Sequence, residues 1–173
     1  MAGKEPDKSG EDTPLRRGWT TGACATAAAK AAYTALITGE FPDPVEVSLP
    51  RGGQTSFCLS KEALGVNEAT AAVEKDAGDD PDVTHGAVIH ATIRQRSKDG
   101  AGINFIAGSG VGTVTKPGLP IDVGQAAVNP VPRSMMTEAL MELARQFGRE
   151  ADLDVEISVP GGEAMARQTM NPR

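Results

Sequence analysis

Apolar and polar positions follow two different rhythms along this chain, and the rhythms separate helix from strand. Gly22 to Thr38 is dominated by alanine (Ala23, Ala25, Ala27, Ala28, Ala29, Ala31, Ala32, Ala35). Alanine is the best helix former, so this stretch predicts the principal helix. Thr20 or Thr21 caps its first turn and Gly39 ends it. So many short side chains imply that something packs very close to this helix. Val45 to Leu49 alternates with period two, Pro50 to Gly53 forms a turn, and Thr55 to Leu59 completes a hairpin. Ala69 to Glu74 fits either a helix end or a strand. Ala87 to Arg94 predicts a strand, with Val88, His90, Thr92 and Arg94 on one face and Ala87, Ile89, Ala91 and Ile93 on the other. Ser97 to Gly102 turns the chain into a strand over Ile103 to Ala107.

A second helix is expected from Arg133 to Phe147, where Met136, Leu140, Leu143 and Phe147 form an amphipathic stripe. Asp154 to Val159 predicts a last strand, and Gly161-Gly162 turns into a short helical segment. The order helix, hairpin, strands, helix, strand lacks a regular βα alternation. It predicts an α+β fold with a mainly antiparallel sheet and two main helices. Met1 to Thr13 is polar and charged, so residues 1–14 are expected to be a disordered tail, with order beginning near Leu15.

Composition narrows the function classes. A chain of 173 residues with 39% hydrophobic and 23% charged residues suits one soluble domain with a real core. Aromatic residues are only 3% and the formal net charge is -6. Base-stacking platforms and a basic surface are both lacking, so neither a nucleic acid nor an anionic membrane is an expected partner. No apolar run reaches the length of a membrane span, and the start has no signal-peptide core. The two cysteines, Cys24 and Cys58, are too few for a disulfide framework or a zinc site, and the expected location is cytoplasmic with both thiols reduced.

Several turn-rich segments could carry chemistry. Gly108 to Leu119 (GSGVGTVTKPGL) holds Gly108, Gly110, Gly112 and Gly118, which permit close backbone approach to a ligand and converging N–H groups. Arg16 to Lys30 places two arginines, Trp19, Thr20, Thr21 and Gly22 at a helix start, a place attractive to carboxylate or phosphate. An ordinary capped helix fits the same residues. Lys75 to Gly86 gathers Asp76, Asp79, Asp80, Asp82 and His85. Crowded carboxylates raise at least one pKa when partly buried, and could serve as base, cation holder or metal ligand. A solvated Asp/Pro/Gly turn fits as well. The spacing does not match an EF-hand loop. Gln125 to Arg133 is stiffened by two prolines and ends on an arginine able to fork onto a carboxylate. Ile157 to Arg173 is a strand, a Gly-rich turn and a helical turn, without the Walker lysine or the dinucleotide spacing. Cys24 reads as a small core residue, and His90 as part of a strand face.

Taken together, RxGxTTGxCAxAAAKAA (Arg16 to Ala32), KDAGDDPDVTHG, GSGVGTVTKPGL, AxNPVPR (Ala127 to Arg133) and ISVPGGExMAxxTxNPR resemble the cobalt-precorrin-5B C1-methyltransferase family of anaerobic corrin-ring synthesis, the CbiD family. The likeness runs from about Leu15 to Arg173. It departs at Gln125 and Ala126, where a Glu-Pro pair is expected. The resemblance implies transfer of a methyl group from S-adenosylmethionine to C1 of cobalt-precorrin-5B, giving cobalt-precorrin-6A on the way to cobalamin. It also implies a fold related by circular permutation to the second domain of ribosomal protein S5. Family members continue into a second, α/β domain, so residues 15–173 are expected to be the first domain alone, with the second absent.

The macrocycle bears many carboxylates and calls for Arg, Lys and backbone donors. The implied binding residues are Arg16, Thr20, Thr21 and Gly22; Gly108, Gly110, Gly112, Thr113 and Lys116; Asn129 and Arg133; and Gly161, Gly162 and Arg173. Asp79, Asp80 and Asp82 are the implied catalytic cluster. No protein-bound metal is expected, since the cobalt belongs to the substrate, and a homo-oligomer is possible. The alternative is a tetrapyrrole- or anion-binding module, inactive without its partner domain. Four further expectations follow. The Gly-rich and Asp-rich loops should share one end of the sheet. Gly110 and Gly112 should matter for ligand approach more than for stability. The chain alone should be catalytically silent. An apolar patch should surround Met165 and Met170.

Overall fold

Helix α1, Thr21–Thr38, is buried on every side, and the rest of the fold is arranged around it. Its eight alanines are all at most 4% exposed, as is Cys24. A helix apolar all round belongs inside a protein rather than on its surface. Thr20 caps it by accepting the Ala23 N–H, and Gly39 closes it with a left-handed φ of 85° and an N–H donated to Ala35. The computed structural model describes residues 14–169. The tail expected over residues 1–14 lies almost wholly outside that range, as do Met170 and Arg173.

After α1 come β1 (Val45–Ser48) and β2 (Gln54–Phe57), the expected hairpin. Strands β3 (Lys61–Leu64), β4 (Glu68–Glu74), β5 (Val88–Gln95), β6 (Ile103–Ala107) and β7 (Leu153–Ser158) make one sheet in the order β3-β4-β5-β7-β6. Its pairings are antiparallel except β6 with β7. Helix α2, Pro130–Gln146, lies between β6 and β7 in the chain, and α3, Gly162–Thr169, follows β7. The architecture is α+β, with three helices and two sheets. Helix α1 packs on β4, β5 and α2. Ala69, Ala71, Val73, Ile89, Ala91, Ile93, Val155 and Ile157 supply the strand side of the core. The opposite face of β5 carries Val88, His90, Thr92 and Arg94, all half-buried. Among the described residues no helix is long and apolar enough to cross a membrane.

Three elements differ from the sequence pattern. Residues 69–74, open between helix and strand, are β4. Strand β3 was not expected, because all four of its residues are exposed and no alternation marks them. It is an edge strand, held by pairing with β4 rather than by burial. Helix α2 starts three residues early, at Pro130, because proline fits the first turn, where the missing N–H has no partner to lose. Phe147 is the C-cap of α2 and 44% exposed, so it leaves the apolar stripe. Met165, half of the expected apolar patch, is half-buried and packs against the core, and Met170, the other half, lies outside the described residues.

Glycine decides the tightest contacts. A Cβ on Gly110, whose φ is 73°, would sit 1.8 Å from the Val159 carbonyl oxygen. One on Gly162 would sit 2.2 Å from the Gly110 carbonyl oxygen. Gly112 has nothing nearer than the Ala127 Cβ at 3.9 Å. Gly110 is therefore a packing glycine, contrary to the expectation that it and Gly112 serve one role. Gly110→Ala should cost about 2 kcal/mol or more of unfolding free energy, and Gly112→Ala well under half of that, as read from urea denaturation. Equal losses would reject this separation. The Tyr33 hydroxyl is fully buried without a hydrogen-bond partner among the described residues. Tyr33→Phe should therefore leave stability unchanged or raise it by up to about 1 kcal/mol in the same assay.

Candidate functional site

One end of the sheet collects most of the candidate residues. Glu74 pairs with Val88, His90 with Ser158 and Ala107 with Ile157. The C-terminal ends of β4, β6 and β7 and the start of β5 therefore lie on the same side. The Asp-rich loop leaves β4 there and the Gly-rich loop leaves β6 there, as expected. Strand β7 lies between β5 and β6, so the two loops share the end without being adjacent in the sheet order. Helix α3 begins at this end too. The start of α1 joins it through Trp19 N–H, which donates to the Asp76 carbonyl at 2.7 Å. The start of α2 follows, because Gly22 lies against Pro132, where a Cβ would come within 2.8 Å. The starts of three helices, each the positive end of its dipole, thus gather in one region.

The Asp-rich loop is built as a frame. Segment 16–18 crosses it so tightly that a Cβ on Gly18 would meet the Ala77 carbonyl carbon at 1.9 Å, and one on Gly78 the Arg16 oxygen at 2.2 Å. Arg17 and Gly78 form an antiparallel bridge. The Arg16 guanidinium donates to both Asp76 oxygens, at 2.6 and 3.0 Å. The Arg16 N–H donates to the Asp79 carboxylate at 2.6 Å. Asp76 also accepts the Gly78 N–H, and this bond, with Arg16, holds its carboxyl below the usual range. Arg16 is pushed correspondingly up, chiefly by its bond to Asp76. Asp79 and Asp80 are exposed.

Lys75 lies at the head of the loop and is only 4% exposed. Its ammonium donates to Asp82 and to the Thr84 hydroxyl. Asp82 also accepts the Thr84 N–H and hydroxyl. The Lys75 bond is the largest cause of an Asp82 pKa held down at about 2, followed by those to Thr84. The carboxylates were expected to push one another up. Instead each perturbed one is held down by a specific donor. The Cys24 thiol, by contrast, is pushed up to about 11 by burial, which suits a core residue rather than a nucleophile. His85 Nδ1 accepts the Ala77 N–H at 3.0 Å, so it fastens the loop. His90 on β5 is pushed below its ordinary value by burial and by Lys61.

In the Gly-rich loop, the Gly108 N–H donates to Ile157 and the Val159 N–H to Ser109, lacing the loop onto the end of β7. Thr113 then bridges Ala126, and Lys116 sits exposed on the excursion between them. Gly161, with φ of 80°, turns the chain into α3. Asn129 occupies the N-cap position of α2 but makes no capping bond. Arg133 was expected to offer a fork to a carboxylate. Its guanidinium donates instead to the Val128 and Ala126 carbonyls, at 2.8 and 2.7 Å, and stacks over Phe105 at 5.0 Å. Burial lowers its pKa, and the fork clamps the loop before α2. Among the described residues no group of three His, Cys, Asp or Glu side chains is gathered to hold a metal ion.

Lys75, Gly18 and Gly78 were not singled out from the sequence. A lysine beside four aspartates reads as a surface charge, and a chain crossing is visible only in three dimensions.

The site therefore belongs to an α+β domain with a polar rim of helix starts, glycine turns and fastened acids at one sheet end. The family model described as CbiD matches residues 8–173, and this chain belongs to the CbiD family. It is 59% identical over 167 residues to a Brucella anthropi protein named cobalt-precorrin-5B C(1)-methyltransferase, covering 96% of this chain and 45% of that one. A Bradyrhizobium protein of the same name is 56% identical over 160 residues, covering 92% and 42%. The crystal structure of the cobalamin biosynthesis protein CbiD from Archaeoglobus fulgidus matches with TM-score 0.66 and 34% identity, covering 91% of this chain and 48% of that one. The chain thus spans about half the length of the relatives it matches.

The acid loop predicts a pH dependence. A carboxylate whose folded pKa is depressed stabilises the fold above its unfolded pKa and loses that contribution as pH falls through the folded one. For Asp82 the window runs from about pH 4 down to about pH 2. Unfolding free energy from urea titrations should fall across that window, and Asp82→Asn should make the fall shallower. An unchanged slope in the variant would contradict the Lys75–Asp82 assignment.

Proposed function

We propose that this chain carries part of the corrinoid-binding and methyl-transfer site of an enzyme that methylates C1 of cobalt-precorrin-5B, giving cobalt-precorrin-6A. The observation that carries this reading is the gathering of the acid loop, the glycine turns and three helix starts at one sheet end, in a chain more than half identical to proteins of that name. S-adenosylmethionine, when bound, supplies a methyl group activated on a sulfonium. The chain's own residues orient and balance charge. The helix N-termini and Lys116 offer donors to the substrate's carboxylates without making the whole protein basic. The Arg16–Asp76 pair holds the acid loop in place, so Asp79 and Asp80 stand at the rim. They are the carboxylates able to accept a proton from the macrocycle or to face a cation. Asp82, engaged by Lys75, acts as a fastener.

The relatives' additional length is read as completing this site, since ligand sites commonly lie where domains meet. Binding without turnover by the 173-residue chain is the corresponding second reading, favoured by its coverage of 45% of a relative. The helix–hairpin–sheet order is read on the same footing as a permuted form of the ribosomal protein S5 second-domain fold, and the location as cytoplasmic.

The test is methyl transfer from S-adenosylmethionine to cobalt-precorrin-5B, followed by mass spectrometry. Residues 1–173 extended by a relative's remaining length should turn over, and residues 1–173 alone should not. Asp79→Asn with Asp80→Asn in the longer protein should lower kcat by about a hundredfold or more. Comparable turnover by the 173-residue chain would sink the need for a second domain. Unchanged kcat in the double variant would remove the acid loop from the chemistry.

A further inference from the structure

A second feature beside the acid loop has no role in the reading above. It is a cavity of about 350 Å³, open to solvent, between the start of α1, the connection leaving β2 and the end of β4. Trp19, Phe57, Leu59 and Val73 provide apolar and aromatic walls, and Glu74 and Asp76 provide carboxylates. Trp19 is the sole tryptophan of the chain. Its ring is held edge-to-face by Phe57, with centroids 5.6 Å apart and planes at 66°. Its backbone is tied to Asp76, and its neighbour Gly18 is wedged against Ala77. The indole is therefore oriented before any ligand arrives. Asp76 is satisfied by Arg16 and Gly78, which leaves the exposed Glu74 as the carboxylate available to a guest.

An indole wall with a carboxylate beside it suits an organic cation. The ring's quadrupole attracts positive charge, most strongly for tryptophan, and the apolar walls accept the body that carries it. An anion is disfavoured here, because the lining residues include two carboxylates and no lysine or arginine. Taking the chain as part of a methyltransferase, we propose that this cavity receives the sulfonium end of the methyl donor, with Trp19 and Glu74 as its binding residues. The cavity borders Asp76 of the acid loop, so a methyl group held there lies at the same end of the sheet as the proposed substrate rim.

Trp19 makes the test direct, since its fluorescence reports on its own cavity. The 173-residue chain is titrated with S-adenosylmethionine, with S-adenosylhomocysteine, which lacks the methyl group and its sulfonium charge, and with choline. Saturable quenching is expected with S-adenosylmethionine, with affinity about fivefold above that for S-adenosylhomocysteine. Glu74→Gln should lower the affinity for S-adenosylmethionine by up to about fivefold and leave that for S-adenosylhomocysteine unchanged. Trp19→Leu, followed by calorimetry and checked for folding by circular dichroism, should weaken S-adenosylmethionine binding similarly. The proposal is overturned if no saturable signal appears, if the sulfonium and the thioether bind equally, or if neither variant alters binding. It is also overturned if choline quenches at the same concentrations as S-adenosylmethionine. Methyl transfer by the longer protein is assayed separately, so a donor bound elsewhere would defeat this site and leave the proposed reaction standing.

Discussion

Helix α1 is touched by β1, β3, β4, β5 and α2, and this is possible because so many of its side chains stop at Cβ. Close-packed interiors tolerate little change in volume, so an alanine helix lets strands and a neighbouring helix approach where leucines would hold them apart. Gly22 extends the constraint to the first turn, where α2 arrives through Pro132. The positions of the α1 and α2 starts at the functional end follow from that approach. A larger residue anywhere along this surface would push those starts away from the loops they adjoin.

The same economy governs the acid loop. Four aspartates within seven residues would repel one another if left alone. Arg16 takes Asp76, the Arg16 backbone takes Asp79, and Lys75 takes Asp82. Removing one partner from a buried, hydrogen-bonded charge costs more than the pair contributes, so Lys75 and Asp82 depend on each other. The loop gains a rigid frame, with Asp79 and Asp80 at its exposed edge. Glycine has the matching role on the other side of the end, where Gly110 and Gly162 bring two loops into backbone contact.

Much of this was legible in one dimension. The alanine run, β1, β5 and β7 follow from periodicity, because each strand buries one face and α1 buries every face. The long motif strings pointed to the CbiD family, which the comparisons show. The location of both loops at one sheet end was also within reach, since each leaves a strand. Strand β3 was not legible, because a fully exposed edge strand leaves no alternation to read.

What the sequence alone determined is which residues are chemically able: the acids, the arginines, the glycines and the lone tryptophan. Which of them are occupied was decided only by the tertiary structure. Arg133 looks like a carboxylate fork until the fold turns it onto Ala126 and Val128. Lys75 looks like a surface charge until β4 and the loop bury it beside Asp82. Gly110 looks like a ligand-approach glycine until Val159 is placed against it. In each case the residue's partner is distant in the chain or set by a loop's exact path. Hydrogen bonds and close contacts act over a few ångströms, and sequence spacing does not report that distance once the chain has folded back on itself.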